Sequence, residues 1–189
     1  IGEVKNFPNG AGPGPTGLRI QFIKELVGED GDDECVDAMY HVVMIFVEGR
    51  APRYLRRWFG GGGLVGIGKD GKPLDQDARP IVVGEVWRRI ACKVALIKDR
   101  EELGGYLKPS QTAVGVRAGG EVITHSLRQW WERNRDNKRA VLLKKDYSNA
   151  FNECEPAAFC DVGRRRLPGC SCLLEWLYGE PVVLVYNGR

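Results

Sequence analysis

Residues Gly60–Lys72 read GGGGLVGIGKDGK and Arg79–Val83 read RPIVV, and these two stretches decide the kind of fold the chain can adopt. Glycine at this density does not sustain a helix. Leu64, Val65 and Ile67 instead suit a strand, Lys69–Lys72 a hairpin tip, and Arg79–Val83 the returning strand. From Val86 the apolar period changes. Val86, Ile90, Val94 and Ile97 fall on one helical face, with Arg88, Arg89, Lys93 and Lys98 expected to be available to solvent. A hairpin feeding a basic helix, inside a chain otherwise patterned as helices, predicts an α+β fold.

Two nucleotide-site patterns in the same stretch fail on context. Gly63–Lys69 fits most of a phosphate-binding loop, but Asp70 stands where a Ser or Thr hydroxyl would reach magnesium. Gly66, Gly68 and Gly71 satisfy the spacing of a dinucleotide fingerprint. The following KPLDQDARP, however, cannot open the helix whose N-terminal amides would hold a pyrophosphate.

Upstream, Gly10–Leu26 (GAGPGPTGLRIQFIKEL) opens too rich in glycine and proline for regular structure. Thr16 then stands where a helix N-cap belongs, and Leu18, Phe22, Ile23, Leu26 and Val27 recur at helical spacing. After the acidic break EDGDDE, Val36, Tyr40, Val43 and Val47 share one face of a second helix. Downstream, a helix is predicted from about Glu121, with Val122, Ser126, Leu127 and Trp130 on one side. Trp130 and Trp131 suit either base stacking or aromatic packing. Ala140–Lys145 reads as a strand ending at Asp146, Pro156–Arg166 as a helix, Leu173–Tyr178 as an apolar segment, and PVVLVYNGR as a closing strand and turn.

The 189 residues can bury a single core, and no run of 18 or more apolar residues could span a membrane. The chain reads as soluble, with no secretory leader and with its true start missing. Its charge is uneven. Residues 1–50 hold four Lys/Arg and nine Asp/Glu, so the remainder is basic, as a polyanion-binding surface or a solvated basic surface would be. Cys154, Cys160, Cys170 and Cys172 lie close in sequence without paired C-x-x-C knuckles, leaving zinc or apolar helix-face thiols as readings.

Taken in order, five stretches resemble the opening motifs of non-LTR retrotransposon reverse transcriptases. Gly10–Leu26 is similar to the family's first motif, Ala51–Lys72 to its first fingers strand, and Arg79–Lys93 to the second. Leu107–Leu127 (LKPSQTAVGVRAGGEVITHSL) resembles its glutamine and glycine motif, and Lys144–Asn152 (KKDYSNAFN) its first palm motif. Arg164–Gly188 follows the connection toward the next catalytic motif.

The resemblance implies the fingers and a partial palm of a right-hand polymerase, truncated before the remaining catalytic motifs. Residues 1–139 would be fingers-like and 140–189 palm-like, in one continuous domain. It implies RNA or an RNA–DNA hybrid as partner and an intracellular chain, of nucleus or cytoplasm; Arg88, Arg89 and Lys93, on the basic helix after the hairpin, are the nucleic-acid surface that the residue pattern itself suggests. Asp146, with the Tyr147 carbonyl, would be a magnesium ligand once a complete site is assembled, because a polymerase needs carboxylates to hold two metal ions. Lys69 and Arg79 would hold the incoming triphosphate, and Gln111 would shape the nucleotide pocket. Phe151 would act as the aromatic gate against a 2′-hydroxyl. The plainer readings are a capping aspartate for Asp146, a core ring for Phe151, a solvated charge for Lys69 and a backbone-satisfying amide for Gln111.

Lys145 departs from the family, where an apolar residue points from this strand into the palm core. The sequence also stops before the paired aspartates, so Asp146 is the only motif carboxylate it carries. Two functions are therefore expected as alternatives. One is the template- and nucleotide-binding part of an RNA-directed DNA polymerase, not catalytic alone. The other is a domesticated retrotransposon remnant serving as a non-catalytic subunit among other protein subunits. In either case Val182–Tyr186 is expected to be an unpaired strand edge, since later palm strands are absent.

Overall fold

A computed structural model describes residues 2–28, 32–68, 78–114, 116–148 and 150–186. Lys69 and the hairpin tip lie outside the described residues. The helices are α1 (Gly2–Lys5), α2 (Ile20–Leu26), α3 (Asp33–Val47), α4 (Arg53–Phe59), α5 (Val86–Lys98), α6 (Arg100–Leu107), α7 (Gly119–Arg133), α8 (Pro156–Arg166) and α9 (Pro168–Tyr178). The strands are β1 (Gly62–Gly68), β2 (Ala78–Gly84) and β3 (Leu184–Val185). The architecture is α+β, and among the described residues no helix is long and apolar enough to cross a membrane.

The core forms where three amphipathic helices meet. Asp32 caps α3 by accepting from the Glu34 amide at 3.0 Å, and Val43, Phe46 and Val47 form the helix's buried end. From α5 come Val86, Ile90, Ala91 and Ala95; from α9 come Cys170, Leu173, Trp176 and Leu177. Each large apolar side chain buried this way contributes about 1.5–3 kcal/mol. Trp176 ties the parts together. Its ring stands edge-on to Phe46 at 5.2 Å, and its indole N–H donates to the Ala51 carbonyl at 2.8 Å, so the one polar atom of a buried ring is satisfied.

In α2 the buried residues are Ile20 and Ile23, with Val27 beyond its end, while Phe22 and Leu26 are exposed. The helix begins at Ile20, and Arg19 rather than Thr16 is its cap residue, because the Thr16 hydroxyl is engaged elsewhere. Two helices carry no strong sequence signal. Short α4 interrupts the stretch compared with a fingers strand, and α6 runs through Gly104 and Gly105, with Glu101 and Glu102 favourably placed in its first turn.

β1 and β2 form the expected antiparallel hairpin, in register from Gly62 opposite Gly84 to Gly68 opposite Ala78. Pro80 is tolerated because β2 is an edge strand. On the other side of β1, β3 pairs in parallel, Gly62 with Leu184 and Gly63 with Val185. The approach is close. A Cβ on Gly61 would lie 1.8 Å from the Val183 carbonyl oxygen, which explains the glycine run there.

This sheet corrects two expectations. Val182–Tyr186 is paired on one side by its own chain, β3 against β1 and the Val183 amide donating to the Arg57 carbonyl at 2.9 Å, while β3 remains the outer strand of the sheet. Conversely, Ala140–Lys145 is irregular, with Val141 80% and Leu143 83% exposed. Apolar residues alone do not make a strand, which needs a neighbour for its backbone groups, and Ala140–Lys145 pairs with none of the described strands.

Candidate functional site

The most fully built polar cluster joins the first motif to the third. Glu85 stands between β2 and α5, and it is 1% exposed. Its carboxylate accepts from the Thr16 amide at 2.7 Å and the Thr16 hydroxyl at 2.8 Å, so the buried charge is compensated by two donors. Gly14 has to be glycine for this contact, since a Cβ there would lie 2.6 Å from the Glu85 Cα. One turn along α5, Arg89 donates to the Gly12 carbonyl at 2.7 Å and lies over the Phe7 ring. Lys93 places its ammonium 4.0 Å from the same ring centroid. The glycine- and proline-rich loop is thereby held on α5.

Arg88 is similarly occupied. Its guanidinium donates to the carbonyl oxygens of Gly60 and Gly61 and, at 3.3 Å, to the Tyr178 hydroxyl. Arg88, Arg89 and Lys93 are therefore half-buried and turned to the protein itself, not available to solvent as expected; Lys98 is exposed. The physical reason is that the residues ahead of β1 and α2 leave carbonyls and an aromatic face against α5, and cations satisfy both.

A second pair of buried charges holds α9 at its two ends. Asp99, just beyond α5, accepts from the Gly169 amide at 3.0 Å and the Cys170 amide at 2.8 Å, capping α9 from a distant part of the chain. Arg56 of α4 donates to the Glu175 carbonyl at 3.0 Å near the other end and pairs with Glu180 at 3.4 Å. Sequence reading missed Glu85, Asp99 and Arg56. Their hydrogen-bond partners lie 69 to 119 residues away, and no local pattern announces such contacts.

The residues matched to palm chemistry are not brought together. Asp146 and Tyr147 lie in the irregular segment before α8, both exposed, with the Lys145 ammonium 4.6 Å from the Tyr147 ring centroid. Lys145 thus stays at the surface and disturbs no core. Phe151 is 98% exposed, so its ring is neither a core residue nor packed as a gate. Among the described residues no group of three His, Cys, Asp or Glu is placed to hold a metal. One exposed carboxylate does not fit a two-magnesium site, and no catalytic step is derived through one. The Gln111 side-chain oxygen accepts from the Ala113 amide at 2.7 Å while its backbone N–H donates to the Leu107 carbonyl, so it closes the turn after α6. Arg79 is exposed at the hairpin, and Lys69 lies outside the described residues.

The four late cysteines separate by environment. Cys154 and Cys172 are exposed, while Cys160 and Cys170 are buried on α8 and α9. Burial, then a hydrogen bond to Asp99 and its negative charge, pushes the Cys170 thiol up to about 12. Burial also pushes Cys92 up, against the opposing pull of Arg88.

What remains accessible is the arm from α7 to Phe151. Residues 128–145 carry seven Lys/Arg against two Asp/Glu, and Trp131, Tyr147 and Phe151 are exposed among them. Cations with free aromatic faces can hold phosphates and stack bases. Compared with protein-family models, characterised proteins and solved structures, the chain matches none.

Proposed function

We propose that residues 1–189 are the fingers and first palm motif of an RNA-directed DNA polymerase of the non-LTR retrotransposon type. They supply template and nucleotide contacts, and on their own they lack the carboxylates for catalysis. The observation that carries this reading is the ordered series of five motifs between Gly10 and Asn152. The structure adds support, since the first motif is held on the third through Thr16–Glu85 and Gly12–Arg89, and the second and third form one hairpin. Asp146, Phe151, Lys69, Arg79 and Gln111 would take up the roles the resemblance gives them only once the remaining polymerase motifs complete the site, since in residues 1–189 Asp146 and Phe151 stand exposed and Gln111 closes a turn. Phosphate contacts come from the exposed cations, Arg79, Lys98 and those of residues 135–145.

The test is fluorescence anisotropy with a labelled RNA template annealed to a DNA primer. A site using about four phosphates loses roughly a hundredfold in affinity between 50 and 200 mM salt. Neutralising Lys138, Arg139, Lys144 and Lys145 should weaken binding at low salt. Affinity indifferent to both changes overturns the reading. So does magnesium-dependent primer extension by these residues that Asp146→Ala abolishes, because it would show that catalysis is complete in them.

One observation favours a second reading, a domesticated remnant acting as a non-catalytic interaction subunit. The cations Arg88, Arg89 and Lys93, matched to nucleic-acid contacts, serve the chain's own folding. Under this reading template–primer binding is absent while the fold is retained.

A further inference from the structure

Helix α7 has its apolar side uncovered. Ile123, Leu127, Trp130 and Trp131 stand at i, i+4, i+7 and i+8, one stripe along the helix, yet none is buried and Trp131 is 61% exposed. Arg128 and Arg133 flank it on a stretch whose residues 128–145 are strongly basic. Elsewhere, α1, α3 and α5 enclose a groove of about 410 Å³ whose walls include Val36, Val43 and Ile90 and whose rim carries Glu3, Asp33 and Asp37. Its acidity is not local to the rim, because residues 1–50 hold nine Asp/Glu against four Lys/Arg.

We propose that α7 of a second copy of this chain docks its apolar stripe in this groove, Arg128 and Arg133 facing the acidic rim. An amphipathic helix in an apolar groove, anchored at i, i+4 and i+7, is a common recognition mode, and a volume of this size lies within the range of occupied pockets. Charge selects the pairing. Two basic arms repel one another, whereas arm and groove are opposite in sign, which fixes orientation and speeds encounter. Donor and acceptor are different patches of one chain, so the contact is head-to-tail and either closes into a ring or propagates. The inference does not rest on the polymerase reading, although Ile123 and Leu127 fall in its glutamine and glycine motif and Arg128, Trp131 and Arg133 in the basic arm.

Sedimentation velocity over a wide concentration range tests it. Association should appear with rising concentration and weaken with salt. Leu127→Asp, at an exposed position, should abolish it while the circular dichroism of the monomer is unchanged. Asp33→Lys with Asp37→Lys should weaken it roughly tenfold or more, as should Arg128→Glu with Arg133→Glu; combining all four should restore it. A chain that stays monomeric at every concentration overturns the proposal. So does association that the charge reversals leave unchanged, or association seen only when single-stranded RNA is added, since the arm would then be a nucleic-acid surface.

Discussion

Asp99→Ala should be among the most damaging single substitutions in this protein. The carboxylate is buried, and its two acceptors serve the Gly169 and Cys170 amides at the start of α9, the helix that supplies Leu173, Trp176 and Leu177 to the core. Removing it leaves two donors unpaired, one of them fully inside. Loss of an ordinary N-cap costs about 1–2 kcal/mol, and a hydrogen bond to a charged group is worth about 1.5–3. We expect a total near 3 kcal/mol, a large part of the 5–15 kcal/mol that typically stabilises a domain. In a chain of this length that lowers Tm by roughly 6–12 °C. Asp99→Asn keeps the shape and one acceptor, so it should cost about half as much. Urea unfolding followed by circular dichroism gives both values, and an unchanged m confirms that the native state alone is affected. The reasoning fails if Asp99→Ala lies within about 0.5 kcal/mol of wild type, the range of an ordinary surface substitution.

Two further predictions concern groups whose environments differ from their sequence pattern. Charge reversal at Arg88 or Arg89 should lower thermal stability before any ligand is added, by about 1–3 kcal/mol each, because each guanidinium satisfies carbonyls of the chain itself; unchanged melting would return these cations to solvent. With iodoacetamide under native conditions, mass spectrometry should find Cys154 and Cys172 alkylated well before Cys92 and Cys170. Because the folded Cys170 thiol ionises near 12 and an unhindered one near 9.0, its contribution to stability is full below pH 9 and declines between about pH 9 and 12. Cys170→Ser should flatten that decline.

Elements with their own periodicity were legible without coordinates. The hairpin follows from Leu64–Ile67 and Arg79–Val83, and α3, α5, α7 and α8 follow from apolar spacing and, for α8, from Pro156 at its start. What escaped depends on distant partners. Thr16 has the chemistry of an N-cap, but the Glu85 carboxylate is a stronger partner for its hydroxyl. Val141–Leu143 has strand composition, yet it pairs with none of the described strands. The basic residues of α5 look solvent-facing by their spacing, and only the folded loop from Phe7 to Gly14 shows what they cover. Of the candidate site, the motifs were readable in order, but not that Asp146 and Phe151 stand in the open.

The contact between Trp176 and Ala51 also has a consequence in time. The two residues are 125 positions apart, and α9, with its indole edge-on to Phe46, closes over α3 and α5, which precede it in the chain. At a synthesis rate of 5–20 residues per second, roughly 6–25 s separate the emergence of Ala51 from that of Trp176. Throughout that interval Phe46 and Val47, joined by Ile90 once it is made, have no α9 to pack against. A nascent chain in this state offers chaperones a hydrophobic surface that the finished protein no longer has, and a ribosome paused within those 125 residues would hold it open longer.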